Sequence, residues 1–151
     1  MAIGNGDSLR GLRVMSSLTE EDRILITQGV MGMLDSWGLS SQDIIKILGL
    51  PDSARGRGIA RFRDKLPFPD EPHVMQRVDY LLRISDALRT YFPRNPEMRS
   101  LWMRRGNRQF GRKAPLALMV EGGESGLITV LCHLDCSYAW DRTGSSLACG
   151  Q

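Results

Sequence analysis

The densest gathering of metal-type and nucleophile-type side chains is Cys132-His133-Leu134-Asp135-Cys136. On a helix Cys132 and Cys136 share a face, while His133 stands about 100° away. A structural zinc site needs four converging ligands, typically in two paired clusters. The only other histidine is His73, in a distant segment. The stretch therefore reads as two core cysteines beside a histidine on the polar face. No G-x-S-x-G, no phosphate-cradling glycine loop and no carboxylate pair with a partner base occurs. Gly122-Gly123-Glu124-Ser125-Gly126 follows a helical segment rather than a strand, so it reads as a helix-to-helix connection. We expect no catalytic residue, no metal, no cofactor and no enzyme.

The cations carry more information. The net charge is only +3, but the 20 basic residues are 17 Arg and 3 Lys, and they cluster. Residues 55–65 hold Arg55, Arg57, Arg61, Arg63 and Lys65 against Asp64, and residues 94–113 hold seven basic residues against Glu97. The stretch 114–151 is acidic. Arginine suits bidentate recognition of phosphate or carboxylate. In the first block, two short helices joined by a glycine-containing turn form a helix-turn-helix pattern whose second helix is basic. Such a helix enters the major groove with its N-terminal residues at base edges. Ser53, Arg55 and Arg57 would then face bases, and Arg61 and Arg63 the backbone. A dimer would set two such helices about 34 Å apart on a palindromic site. A solvated basic helix is the plain alternative. Gly56 and Gly58 leave open a degenerate element that serves as a dimer surface. In the second block Arg104, Arg105, Arg108, Arg112 and Lys113 are candidates for contacting a partner, or else a solvated face.

The elements that position these residues are all helical. No period-2 run appears, so the expected fold is all-α. Ser17 or Thr19 caps a helix with Ile26, Val30, Met33 and Trp37 on one stripe. Ser40 or Ser41 caps a short helix ended by Gly49-Leu50-Pro51. A third helix is expected from about Ala54 to Asp64, and residues 66–72, with three of the seven prolines, form a stiff linker. Val74, Val78, Leu81 and Leu88 mark a long helix ending before Pro93. Short helices are expected after Asn95 and from Pro115 to Val120, and a last one carries Leu127, Val130, Leu131, Leu134 and Tyr138. Residues 1–17 read as a mobile arm and 141–151 as a disordered tail. With 151 residues and a pI near 9.0 the chain has room for one or two small domains. No apolar run approaches a membrane span, residues 1–13 lack a secretory apolar core, and three cysteines are too few for a disulfide framework. The expected compartment is the reducing cytoplasm, with no membrane partner.

One further order of residues carries a resemblance. Trp102, Gly106-Asn107, Phe110-Gly111, Pro115-Leu116, Leu118-Met119 and a glycine loop precede the final apolar helix. This resembles the toxin-binding domain of the Xre/MbcA/ParS antitoxin family, and residues 18–92 resemble that family's Xre-like helix-turn-helix domain. The resemblance covers roughly residues 18–140. It implies an N-terminal helix-turn-helix bundle at 18–92, joined to a small helical toxin-binding domain at 93–140. It also implies a cognate RES/ParT-type toxin that consumes NAD or transfers ADP-ribose, and promoter DNA bound by a homodimer. Asn107 joins the basic residues as a toxin contact on this basis. The C-terminal residues Leu147 to Gln151, including Leu147 and Gln151 themselves, would sit at the entrance of the toxin's active site. A stand-alone helix-turn-helix transcriptional regulator without a toxin is the alternative.

Overall fold

Helix signals and breakers set the element order along the chain. A computed structural model describes residues 17–143, with side chains through Asp135. Seven α-helices and two short 3-10 segments, with no strand among the described residues, make the protein all-α. The helices are α1 Glu20–Ser36, α2 Ser41–Leu48, α3 Arg57–Asp64, α4 Pro72–Tyr91, α5 Pro96–Arg104, α6 Pro115–Gly122 and α7 Glu124–Thr143. The chain divides into two units, Met1–Asp79 and Tyr80–Gln151. The division falls inside α4, whereas the sequence reading takes the first domain to the end of that helix.

In the first unit Thr19 rather than Ser17 starts α1. Its hydroxyl accepts from Asp22 N at 3.2 Å, and Asp22 accepts from Thr19 N at 3.3 Å, a reciprocal capping box. Glu20, Glu21 and Asp22 fill the first turn, where the helix dipole favours negative charge. The buried stripe is Thr27, Val30, Met31, Leu34 and Trp37. It is rotated from the expected one, with Ile26 and Met33 only half-buried. The reason is polar and could not be read from apolar spacing. Thr27 Oγ1 donates to Arg23 O at 2.8 Å and accepts from Phe68 N at 3.0 Å. The Arg23 guanidinium donates to Phe68 O at 2.8 Å. The proline-rich segment is thus pinned to α1, with Phe68 buried and its ring 5.2 Å from that of Phe62 on α3.

In the second unit Asn95 caps α5 by accepting from Met98 N at 3.2 Å, and Pro96 and Pro115 occupy first turns, where no N–H is missed. The α6–α7 approach depends on Gly126, since a Cβ there would lie 2.0 Å from Leu118 O. The expected arm and tail lie outside the described residues, apart from Ser17 and residues 141–143. The latter form the end of α7, so the helix continues past the expected tail boundary.

Candidate functional site

The DNA-contact candidates are positioned by α2, α3 and the segment between them. Ser40 accepts from Asp43 N at 3.2 Å to start α2, and Gly49 ends it in the left-handed region at φ 68°. Two cationic-type side chains of α4 close that end. Arg77 donates to Lys46 O at 3.0 Å and Ile47 O at 3.2 Å, and His73 Nε2 donates to Gly49 O at 3.0 Å. Side-chain donors here satisfy orphan carbonyls at the end of the helix, and the Arg77 charge suits its negative pole. A Cβ on Gly49 would meet the Arg77 guanidinium at 3.1 Å, so the turn requires glycine for both its φ and its space.

The helix expected from Ala54 is broken. Asp52–Ala54 is a 3-10 turn, Arg55 is extended at ψ 151°, and Gly56 sits at φ 68°, ψ −114°. Only then does α3 begin at Arg57. Glycine's freedom at positive φ permits the break, and the poor helix propensity of Gly56 and Gly58 offers little against it. Ser53 and Arg55 therefore stand on the connection rather than on the second helix. Both are exposed, and Arg55 makes a solvent-exposed pair with Asp52 at 3.3 Å, a contact of small energetic weight. Arg57 and Arg61 are exposed one turn apart on α3, with no ion pair among the described residues.

Arg63 is placed differently from the expected backbone contact. Its Nε and a terminal nitrogen each donate to one oxygen of Asp35 on α1 at 2.8 Å. The hydrogen bonds to Asp35 raise the guanidinium's pKa, with burial opposing and the Asp35 charge adding to the rise. With both arms of the fork engaged, Arg63 docks α3 on α1 instead of standing free for phosphate.

In the second unit the candidates surround a loop that folds back on itself. Asn107 stitches it together. Its Oδ1 accepts from Gln109 N at 2.9 Å, its N donates to Lys113 O at 3.0 Å, and its carbonyl accepts from Arg112 N at 2.9 Å. The Asn107 side chain, expected to touch the toxin, therefore caps the 3-10 turn Arg108–Phe110. Gly106 has no room for a side chain, since a Cβ would lie 2.7 Å from Arg112 O. Gly111 at φ 62° is followed by Arg112 at φ 69°. A non-glycine residue in that region costs about 1–2 kcal/mol, so the loop holds Arg112 in a strained conformation. Lys113 pairs with Glu121 at 2.9 Å across an exposed surface, and Arg104 donates to Ser100 O at 3.4 Å on its own helix.

Under this loop lies an aromatic cluster that includes a histidine. Trp102 stacks on His133 with centroids 6.4 Å apart and planes 16° off parallel. Phe110 meets His133 edge-on at 5.0 Å and Trp102 at 6.4 Å. His133 is half-buried among rings, not on a polar face as its neighbours in sequence suggest, and burial pushes its pKa below the ordinary histidine value. Burial also pushes Asp135 up, with Arg83 pulling it back. Cys132 is half-buried and disulfide-bonded, which differs from the expected pair of core thiols. Among the described residues no three His, Cys, Asp or Glu converge as metal ligands.

Beside Trp102 opens a groove of ≈ 330 Å³, walled by Phe92, Met98, Leu101 and Trp102, with Arg105 and Arg108 at its edge. The apolar wall was missed because Met98, Leu101 and Trp102 at spacings of three and one look like the buried stripe of a short helix. Leu147 and Gln151, the tail contacts implied by the resemblance, lie outside the described residues. The structure thus groups the expected sites into an arginine surface on the first unit and an arginine-rimmed groove on the second. The chain matches no family model and no curated protein, so these surfaces are the basis for a functional reading.

Proposed function

We propose that this chain is the antitoxin of a type II toxin–antitoxin pair. It neutralises a RES-type, NAD-consuming toxin by direct binding and represses its own promoter. The observation that carries the reading is the placement of exposed cations on two surfaces, one in each unit. In the first unit, Ser53, Arg55, Arg57 and Arg61 stand exposed on and before the second of two short helices, a placement suited to DNA. In the second unit, Arg105 and Arg108 line an open apolar groove, a placement suited to protein. The order of residues from Trp102 to Met119, with its resemblance to the toxin-binding domain of the Xre/MbcA/ParS antitoxins, supplies the nature of the partner. Inhibition is by occlusion, and the chain itself performs no chemistry.

The test is to coexpress the tagged chain with the product of the adjacent open reading frame. The expected results are copurification, relief of that product's toxicity, and a shift of the operon's promoter fragment at low salt. Failure to copurify, together with no promoter shift, overturns the reading. A promoter shift without any toxic neighbour would favour a stand-alone regulator.

A further inference from the structure

The groove of the second unit has a chemistry more specific than a general contact surface. Its walls expose Leu101 by 41% and Met98 by 37%, next to the half-exposed Trp102 and Phe92. Exposed apolar residues scattered singly are ordinary, but here they are contiguous and enclose a cavity. Trp, Met and Arg are the residue types enriched at the cores of protein interfaces, where lysine is depleted. Trp102 is also held in place before any partner arrives, with His133 stacked along its ring and Phe110 against its edge. A preset anchor loses little freedom on binding.

Charge selects among occupants. Arg105 and Arg108 are exposed at the edge of the groove, and no hydrogen bond or ion pair involves either side chain among the described residues. The neighbouring Arg99 and Arg104 are engaged within the fold. Arg99 donates to Phe92 O at 2.8 Å and Pro93 O at 3.0 Å. Between residues 94 and 113 the sole acid is Glu97. An incoming carboxylate thus meets cations with no internal partner to displace, while a basic segment meets repulsion. A nucleic-acid strand would also be attracted by charge. The walls at Met98 and Leu101 are aliphatic, however, and His133 already stacks on Trp102, which leaves Phe92 as the one further ring in the lining, fewer platforms than successive stacked bases use.

We propose that the groove between Met98, Leu101 and Trp102 is a docking slot for an acidic segment of a partner protein. A bulky apolar side chain enters the slot, and flanking carboxylates bind Arg105 and Arg108. The proposal rests on the antitoxin reading only for the identity of that partner, which under that reading is the toxin.

The experiment pans a random display library of short peptides on the immobilised full-length chain. Selected peptides are then measured by fluorescence anisotropy. Enrichment of a large apolar residue flanked by Asp or Glu is expected. Arg105→Glu and Leu101→Ser should each weaken the selected peptides by about tenfold or more, as at an interface hot spot. Lys46→Glu, on the other unit, should leave them unchanged. Replacing the peptide's acids by lysine should restore binding to Arg105→Glu. Both altered side chains are exposed, and helical circular dichroism checks that the variants fold. Selection without acids, binding indifferent to both variants, recovery of no binder, or stronger competition by oligothymidylate than by the peptides each overturns the slot. Copurification with the neighbouring gene product is scored separately. If it persists while the slot fails, the toxin reading stands without this site. If it fails while the peptides behave as expected, the slot stands and its partner is another protein.

Discussion

At Arg63 one side chain decides between anchoring the fold and contacting a ligand. Its bidentate pair with Asp35 is about 40% exposed on both sides, so it gains from geometry but is partly screened. Arg63→Ala and Asp35→Ala should each lower stability by about 0.5–1 kcal/mol, and the double variant should lose little more than either alone. For DNA, Arg57→Ala and Arg61→Ala should each reduce the salt dependence of promoter binding by about one unit of slope. Arg63→Ala should leave that slope unchanged. Denaturant titration and salt-series binding check both statements, and a slope change at Arg63 equal to that at Arg57 would return Arg63 to the DNA surface. The sequence makes the charge block between Arg55 and Lys65 plain. It cannot show which arginine is engaged within the fold, because Asp35 lies 28 residues earlier and no local pattern links the two. Asn107 follows a glycine at a helix break, where an asparagine side chain can bond its own backbone or tolerate a left-handed conformation, and the structure shows the first, with its side chain on Gln109 N.

Helix α7 shows the same division between pattern and packing at the level of an element. Its apolar residues Leu127, Val130, Leu131 and Leu134 were readable by period, and all four are buried. The neighbouring His133 was not, because its environment is made by Trp102 on α5 and Phe110 in the 3-10 turn. Likewise, α3 starts later than its charge pattern suggests, since a backbone angle at Gly56 decides the boundary and composition cannot report it. The burial of His133 has a consequence for pH. A folded pKa below the unfolded one means that the unfolded chain binds more protons in the window just below the ordinary histidine value. The stabilising contribution is therefore complete above about pH 6.5 and is lost as pH falls through that window. Asp135, whose pKa burial raises, acts in the opposite sense, and does so nearer the carboxylate range. Between about pH 7.5 and pH 5.5 the histidine should dominate, so the thermal midpoint should fall on acidification. His133→Phe should flatten that dependence. An unchanged slope in His133→Phe would show that the sensitivity arises elsewhere.

For the molecule as a whole, α4 determines what can be separated. Its first half carries Val74, Met75 and Val78, which are buried, and Arg77 and His73, which close the end of α2. Its second half carries Leu81, Ile84 and Leu88, buried as well, and Tyr91, whose hydroxyl donates to Leu134 O at 3.2 Å. A fragment of residues 1–66 lacks both Phe68, which packs on Phe62, and the side chains that cap α2, so it should not hold the helix pair together. A fragment of residues 70–151 keeps α4 whole, including the Glu71 carbonyl that accepts from Val74 N and Met75 N at 3.0 Å. It should fold, but with a lower midpoint than the intact chain, because small domains bury a smaller fraction of their surface and Val74, Met75 and Val78 lose their cover. Under the proposed function the 70–151 fragment should still rescue cells from the neighbouring toxin while giving no promoter shift, and the 1–66 fragment should do neither. A fragment starting at Tyr80 cuts α4 in its interior, leaving a new helix end without a cap, and should rescue less well than 70–151 at equal expression. Rescue by the 1–66 fragment alone would place the toxin contact on the wrong unit and remove the assignment of the groove beside Trp102.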